Sequence, residues 1–170
     1  MNLSECIGQL TVGAATLQQI LGSVQPEQAA WRPRPNVWSL LEIVNHLADE
    51  ERDDFRRRVA LTLESPTREW PAIDPEGWVS ARDYASRDWQ GSLEDFASER
   101  KRSLDWLANL ETPDWDATHE HPRIGPMRAG DVMLSWIAHD LLHTRQILRL
   151  QFDWIVHQGA PYLVDYAGGW

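Results

Sequence analysis

Three histidines carry the strongest chemical signal of this sequence. His139 and His143 are four residues apart within 132–150, where the apolar spacing predicts an amphipathic helix. Residues at this spacing lie one above the other, with Cβ atoms about 5–6 Å apart, so both imidazoles could bind one metal ion. His46 lies in a second segment of helical character. Three histidine ligands leave a fourth position open, which is typical of a catalytic rather than a structural metal site.

The spacing alone leaves two interpretations open. His139 and His143 share the narrow apolar arc of their helix, where they could bind a metal or be hydrogen-bonded core histidines. His46 lies at the edge of an apolar arc, near Ile43 and Glu50, and by itself would be a half-exposed boundary histidine. It becomes a ligand candidate because metal sites in helical bundles gather side chains from facing helices.

Three polar residues near these histidines are candidates for supporting roles. Glu50, one helical turn after His46, is the candidate general base for a metal-activated water. Alternatively, Glu50, Asp53 and Gln146 could orient an imidazole N–H or a bound water from outside the ligand set. For Asp53 a solvated helix surface is the better interpretation.

A second group of polar residues lies in the connection at 113–130. His119 and His121 alternate as in an extended segment and could line the mouth of a pocket, although loop histidines are usually exposed. Arg123 and Arg128 are possible walls of a pocket for an anionic or polar thiol. Cys6 lies off the apolar stripe of its helix, and we do not expect it to bind metal.

Four separate apolar stripes predict four helices, at 3–22, 38–63, 89–110 and 130–150. Ser39 and Glu42 form the signature of a capping box at the start of the second helix. The proline-rich segment 26–37 predicts a connection too broken for a helix. The segment 65–88 predicts a long ordered loop, with or without one short helical turn, and 154–170 an irregular or short helical segment. Strand-like alternation is weak throughout. We therefore predict an all-α four-helix bundle, a single domain spanning 1–170, with long connections after helices 1, 2 and 3.

Composition limits the partners. The chain of 170 residues has a formal net charge of −10, so phosphate backbones repel it and nucleic-acid binding is not expected. No apolar run approaches the roughly 18 residues of a membrane span. The single cysteine, Cys6, and the absence of a signal-peptide-like start predict a cytoplasmic protein.

Taken together, these motifs resemble the DinB-like family of bacterial metal-binding four-helix bundles. The resemblance rests on Trp31-Arg32-Pro33 followed by VWSLLEIVNHLADEE at 37–51, on Phe96-x-x-x-Arg100, and on the stretch from Gly125-Pro126-Met127 to His139-Asp140-x-x-His143-x-Arg145-Gln146-Ile147. It covers roughly residues 1–150, and both histidine segments agree with the family pattern in spacing and flanks.

The resemblance implies an up-down-down-up bundle, often a homodimer. It also implies that His46, His139 and His143 hold a divalent metal ion such as zinc, nickel or iron. Similar proteins include thiol-dependent isomerases and S-transferases that use low-molecular-weight thiols, as well as proteins described as metal-dependent hydrolases. On this basis we expect a metal-dependent enzyme acting on a small molecule, with thiol-dependent transfer preferred. A hydrolase and a non-catalytic metal-binding bundle are the alternatives.

Overall fold

A computed structural model describes residues 1–170, and most of the chain is helical. The helices are α1 (Leu3–Leu21), α2 (Pro26–Ala30), α3 (Leu40–Asp49), α4 (Arg56–Glu64), α5 (Pro75–Ala81), α6 (Trp89–Ala108) and α7 (Ala129–Gly159). A π-helical segment, Glu50–Phe55, joins α3 to α4 without a break. Short 3₁₀ turns occur at Tyr84–Ser86 and Asp165–Ala167. Two short strands, β1 (Thr118–His121) and β2 (Gly125–Arg128), form an antiparallel hairpin.

The four long helices of the bundle, with α3 and α4 counted as one, agree with the sequence prediction of an all-α four-helix bundle. The capping box is present: Glu42 N–H donates to Ser39 Oγ, and Ser39 N–H donates to Glu42 Oε2. The segment 65–88 contains α5 and a 3₁₀ turn, so it has more helix than the one short turn that the prediction allowed.

Three local predictions were wrong. The segment 26–37 contains the short helix α2, because Pro26 occupies its first turn, where a missing N–H costs nothing. The connection at 113–130 is extended at His119 and His121, as predicted, but β1 pairs with β2 in a hairpin that was not predicted, and Gly125 closes its turn with a φ of 89°. Helix α7 continues beyond residue 150 to Gly159, since Trp154 packs edge-to-face on Trp31 with ring centroids 5.4 Å apart. This tertiary contact outweighs the weak helical pattern of the tail.

The order of the helices around the bundle explains two of the three long connections. Helix α1 packs against α6 and α7, and the α3–α4 segment also packs against α6 and α7. Chain neighbours α1 and α3 therefore lie across the bundle from each other, as do α6 and α7. The connections after α1 and after α6 must therefore cross the end of the bundle diagonally. The connection at 65–88 joins packed neighbours instead, and its length is taken up by α5 and a 3₁₀ turn.

The core consists of two apolar clusters separated by polar residues. Members of the first apolar cluster include Leu17, Leu21, Leu40, Val44, Phe96, Ile147 and Leu150. Members of the second include Cys6, Leu10, Phe55, Val59, Leu107, Val132 and Trp136. Helices α1 and α7 run from the second cluster to the first, whereas α3–α4 and α6 run from the first to the second. The topology is therefore up-down-down-up, as the family resemblance implies.

Between the two apolar clusters lies a polar layer. Its members from α3 and the π-helical segment are His46, Glu50 and Glu51, and those from α6 and α7 are Arg100, His139, Asp140 and His143. Charged groups at this depth need partners or ligands, because an uncompensated buried charge is costly. None of the helices combines the length and the apolarity that a membrane span requires.

Candidate metal centre

Two packed helices supply the three histidines. His46 comes from α3, and His139 and His143 come from α7. The side chain of His46 is the most enclosed, since the residue is only 4% exposed and the ring of Trp38 lies 5.1 Å from its own, centroid to centroid. His139 and His143 are partly buried. The cluster therefore lies at the boundary between the core and the surface.

This burial order is the reverse of that predicted from the helical wheels. His46, assigned to the edge of an apolar arc, is buried, as are all ten residues of α3, because α3 packs against α2, α6 and α7. His139 and His143, assigned to the centre of a stripe, are only partly buried. The wheel describes one helix, whereas burial depends on how many neighbours that helix has.

The three imidazoles converge through their Nε2 atoms. His139 Nε2 lies 3.1 Å from His143 Nε2 and 3.4 Å from His46 Nε2. One nitrogen from each ring can be chosen so that all three lie within 4.8 Å of one another. Two nitrogens bound tetrahedrally to one zinc-like ion at about 2.0–2.1 Å would be about 3.3 Å apart. The two shortest separations in the cluster match that spacing.

Neighbouring acceptors favour free lone pairs at the centre of the cluster. His143 Nδ1 lies 2.9 Å from Gln146 Oε1, a carbonyl oxygen that can only accept, so Nδ1 carries the proton and Nε2 does not. His46 Nδ1 has only Glu50 Oε1 nearby, at 3.9 Å, which favours the same tautomer. His139 Nε2 could donate to one of the two other rings but not to both. The protein therefore cannot provide a hydrogen-bond donor for every Nε2 lone pair of the cluster, whereas a cation could bind all three.

Burial keeps the three imidazoles in the form that binds metal. Desolvation, with the charge of His143 adding to it, lowers the pKa of His46 to about 3. Desolvation and the two neighbouring histidines lower the pKa of His139 to about 2. The pKa of His143 is also lowered by desolvation. All three rings are neutral at pH 7, and a neutral imidazole is the ligand form.

The π-helical segment places two side chains against the cluster. Residues five apart align along a π-helix, because its hydrogen bonds join i and i+5. Glu50 and Phe55 are five apart; Glu50 lies beside His46, and the ring of Phe55 lies 5.0 Å from that of His139, centroid to centroid. Sequence analysis placed Glu50 near His46 but missed the role of Phe55, since it assumed α-helical spacing.

Burial and the charge of Asp54 raise the pKa of Glu50 to about 9. Its carboxyl group faces Nδ1 of His46, on the side of the ring away from the convergent Nε2 atoms. This position suits a group that orients His46. A general base, the other predicted role of Glu50, would have to reach a water on the Nε2 side of the ring.

A network of buried charges adjoins the histidines. Arg100, which is 2% exposed, donates to Glu51 Oε1 at 2.6 and 2.9 Å and to both carboxylate oxygens of Asp140 at 2.7 and 2.8 Å. It also donates to the Leu10 carbonyl at 2.9 Å, and Trp136 Nε1 donates to Glu51 Oε1 at 2.6 Å. This Arg100 network connects α1, the π-helical segment, α6 and α7. It fixes Asp140, the residue next to His139.

The other predicted polar residues lie elsewhere. Asp53 pairs with Arg82 at 2.8 Å, as expected of a residue outside the site. His119 stacks on Trp70 with centroids 4.3 Å apart, and His121 is nearby. With Arg123, these two histidines line a cleft beside the hairpin that none of the three convergent histidines lines. The proposed pocket walls are thus not those of the histidine cluster.

Arg128 is also outside the cluster, because it pairs with Asp131 at the start of α7 at 3.0 Å. The side chains that do line the cleft next to His143 were not predicted from the sequence. They come from the loop before α3 and from the second half of α7, and they include Arg34, Arg145 and Arg149. The helical spacing of Arg145 and Arg149 was the only available signal, and it does not reveal that a loop faces them.

The structure defines the class of the protein as an up-down-down-up helical bundle with three convergent histidines that could hold a metal ion. Comparison with known proteins identifies the family. A family model described as the DinB superfamily matches residues 9–147. The chain belongs to the DinB superfamily.

Similar proteins carry names that mention metal. A protein of Oceanobacillus iheyensis named "Putative metal-dependent hydrolase" is 24% identical over 155 residues, which is 89% of this chain and 88% of that protein. A Bacillus cereus protein with the same name is 28% identical over 123 residues, covering 69% of this chain and 68% of its own. Among solved structures, YfiT from Bacillus subtilis matches with a TM-score of 0.75 at 22% identity, over 87% of this chain and 85% of its own. It is described as "a probable metal-dependent hydrolase with an unusual four-helix bundle topology".

Proposed function

We propose that the protein is a metal-dependent hydrolase of a small molecule, and that His46, His139 and His143 hold a divalent cation. The observation that carries the proposal is the convergence of three neutral imidazoles whose Nε2 atoms the protein cannot satisfy by itself. Three protein ligands leave a position open for water or substrate, as in catalytic metal sites.

The donor set is compatible with several metals. Imidazole suits zinc, nickel and iron alike, so these three remain the proposed ions. When bound, a zinc-like ion supplies a water whose pKa falls to about 7, which makes hydroxide available at neutral pH.

The residues around the cluster have positioning roles in this proposal. Gln146 Oε1 accepts a hydrogen bond from His143 Nδ1–H, which leaves the lone pair of Nε2 free for the metal. Glu50, whose Oε1 lies 3.9 Å from His46 Nδ1, is the group placed to orient His46 from the corresponding side of its ring. Trp38 and Phe55 exclude water from the inner side of the cluster. A separate general base is not needed if the bound water is already ionised.

We prefer the hydrolase alternative to the thiol-dependent transfer that the family resemblance led us to expect. The names of the two relatives and of YfiT refer to hydrolysis, and none of them mentions a thiol. The low-molecular-weight thiol and the homodimer stay expectations from the family resemblance. The lack of nucleic-acid and membrane partners and the cytoplasmic location stay predictions from the sequence.

The proposal is tested by metal analysis and hydrolysis assays on purified protein. We expect one metal ion per chain and turnover of at least one compound in a panel of chromogenic esters and amides. His143→Gln should lose both the metal and the turnover while its circular dichroism spectrum is unchanged. The matched control is His157→Gln, which changes an exposed histidine of the same helix and should retain both. Full turnover by His143→Gln would show that the metal is not catalytic.

A further inference from the structure

An open cleft of about 760 Å³ lies between the loop that precedes α3 and the second half of α7. Pro33, Arg34 and Val37 form one side, and His143 and Gln146 form part of the other. The cleft therefore reaches the histidine cluster through His143 and through the residue that orients it. A molecule in this cleft would lie next to the proposed metal position.

The cleft is unusually basic for a chain with a net charge of −10. Arg34, Arg145 and Arg149 line it, and Asp153 is the only acidic residue in its wall. Asp153 is already neutralised, because it accepts from Arg149 Nε at 3.0 Å. Arg34 and Arg145 are absent from the ion pairs of the structure. Arg34 and Arg145 thus line the cleft without forming an ion pair with any carboxylate of the protein.

The backbone explains why these charges face the same space. Leu142, Arg145 and Arg149 are three and four residues apart, so they follow one face of α7. Arg34 lies opposite them, between Pro33 and Pro35, where the two prolines restrict the backbone of the loop. The two unpaired cations therefore approach the cleft from different chain segments.

The cleft beside the hairpin provides a contrast. It has a volume of about 510 Å³ and contains Arg58 and Arg123, but Glu69 and Glu120 line it too. Arg58 also pairs with Asp54 at 2.7 Å. Opposite charges are therefore balanced in that cleft. The excess of positive charge therefore distinguishes the cleft at His143 from the cleft beside the hairpin.

We propose that this cleft binds the anionic group, a carboxylate or a phosphate, of a small-molecule substrate. Guanidinium groups bind both oxyanions through paired N–H donors. Arg34 and Arg145 hold the anion, and the rest of the substrate extends past Gln146 toward the histidine cluster. The inference rests on the proposed function for the identity of the site, but the charge preference itself is a property of the two arginines.

Calorimetric titration at low ionic strength tests the proposal with succinate and its uncharged counterpart succinamide as probes. Both probes are titrated into zinc-loaded and into metal-free protein. We expect succinate to bind more tightly in both forms, because the arginines and not the metal create the preference. Inorganic phosphate, titrated in the same way, shows which of the two oxyanions the cleft prefers.

Variants assign the preference to the two arginines. Arg34→Gln and Arg145→Gln should each weaken succinate binding about threefold to fivefold, as for a solvent-exposed ion pair, and the double variant should bind both probes equally. The matched control Arg57→Gln, which changes an exposed arginine of α4 outside this cleft, should behave as the unaltered protein.

Two results would overturn the proposal: a succinate preference that disappears when the metal is removed, or one that the double variant retains. A preference that persists in a protein that neither retains zinc nor hydrolyses any ester would support it. In that case the proposed hydrolase function fails while the anion site stands.

Discussion

The Arg100 network and the histidine cluster adjoin each other in the polar layer, connected through the neighbouring residues Asp140 and His139. In the Arg100 network nearly every polar atom has a partner, and only Oε2 of Glu51 lacks one. In the histidine cluster the Nε2 atoms face one another, and His46 Nδ1 has no partner within hydrogen-bond distance.

The difference separates two uses of buried polar groups. Buried polar groups that hydrogen-bond to one another connect the helices and have no free atoms left to bind a ligand. Groups that converge without satisfying one another indicate that a further species completes them. The Arg100 network therefore accounts for the geometry of the layer, and the histidine cluster for its chemistry. Substitutions in the two regions should consequently have different effects: on stability in the first and on metal binding in the second.

The largest expected effect is on stability, at Arg100. Arg100→Met keeps most of the side-chain volume but leaves Glu51 and Asp140 buried without their counter-charge. We expect a loss of about 3–5 kcal/mol in the free energy of unfolding of the metal-free protein, measured by chemical denaturation.

Two further variants sharpen this prediction. Adding Glu51→Gln and Asp140→Asn to Arg100→Met should recover part of the loss, since no unpaired charge is left. Arg57→Met, at an exposed position, should change the unfolding free energy by less than about 0.5 kcal/mol. A loss below about 1 kcal/mol for Arg100→Met would mean that the network does not hold the helices together.

A change next to the histidine cluster should affect metal affinity instead. Gln146→Ala removes the acceptor for His143 Nδ1, and we expect zinc affinity to fall about 10–100-fold with little change in metal-free stability. The measurement is competition with a zinc-binding dye. Gln158→Ala, an exposed glutamine of the same helix, is the control. Unchanged affinity in Gln146→Ala would exclude an orienting role for this amide.

A smaller effect should appear in the pH dependence of stability. Burial lowers the pKa of His139 from 6.5 to about 2 in the folded, metal-free protein. Below pH 6.5 the unfolded chain therefore takes up a proton that the folded chain does not, and the unfolding free energy falls by about 1.4 kcal/mol per pH unit. His139→Gln lacks this titration, so its stability should decline less steeply by that amount between pH 6 and pH 5. Parallel declines for both proteins, in denaturation of chelator-treated samples, would contradict the lowered pKa.

The sequence predicted the features that depend on periodicity and on local signatures. The four apolar stripes, the capping box at Ser39 and the helical spacing of His139 and His143 are of this kind. Features that depend on which segments meet were missed. The end of α7 at Gly159 depends on Trp31, from a distant part of the chain, and the depth of His46 depends on neighbours packed around α3.

The π-helical segment and the Arg100 network show the same limit in another form. Phe96-x-x-x-Arg100 was recognised as a motif, but its function requires Glu51 and Asp140, which come from two other helices. The wide turn at Glu50–Phe55 leaves no periodic signature, because six residues are too few to shift an apolar pattern. It nonetheless decides that Glu50 and Phe55 both lie beside the histidines.

The central claim is that three imidazoles bind one divalent cation, and X-ray absorption spectroscopy of the zinc-loaded protein tests it most directly. The account predicts three imidazole nitrogens at about 2.0–2.1 Å from zinc, with one further light ligand at the open position. The imidazole scattering should decrease by one ring in His46→Gln and stay unchanged in His157→Gln. A spectrum without three imidazoles, or one that His46→Gln does not alter, would contradict the claim.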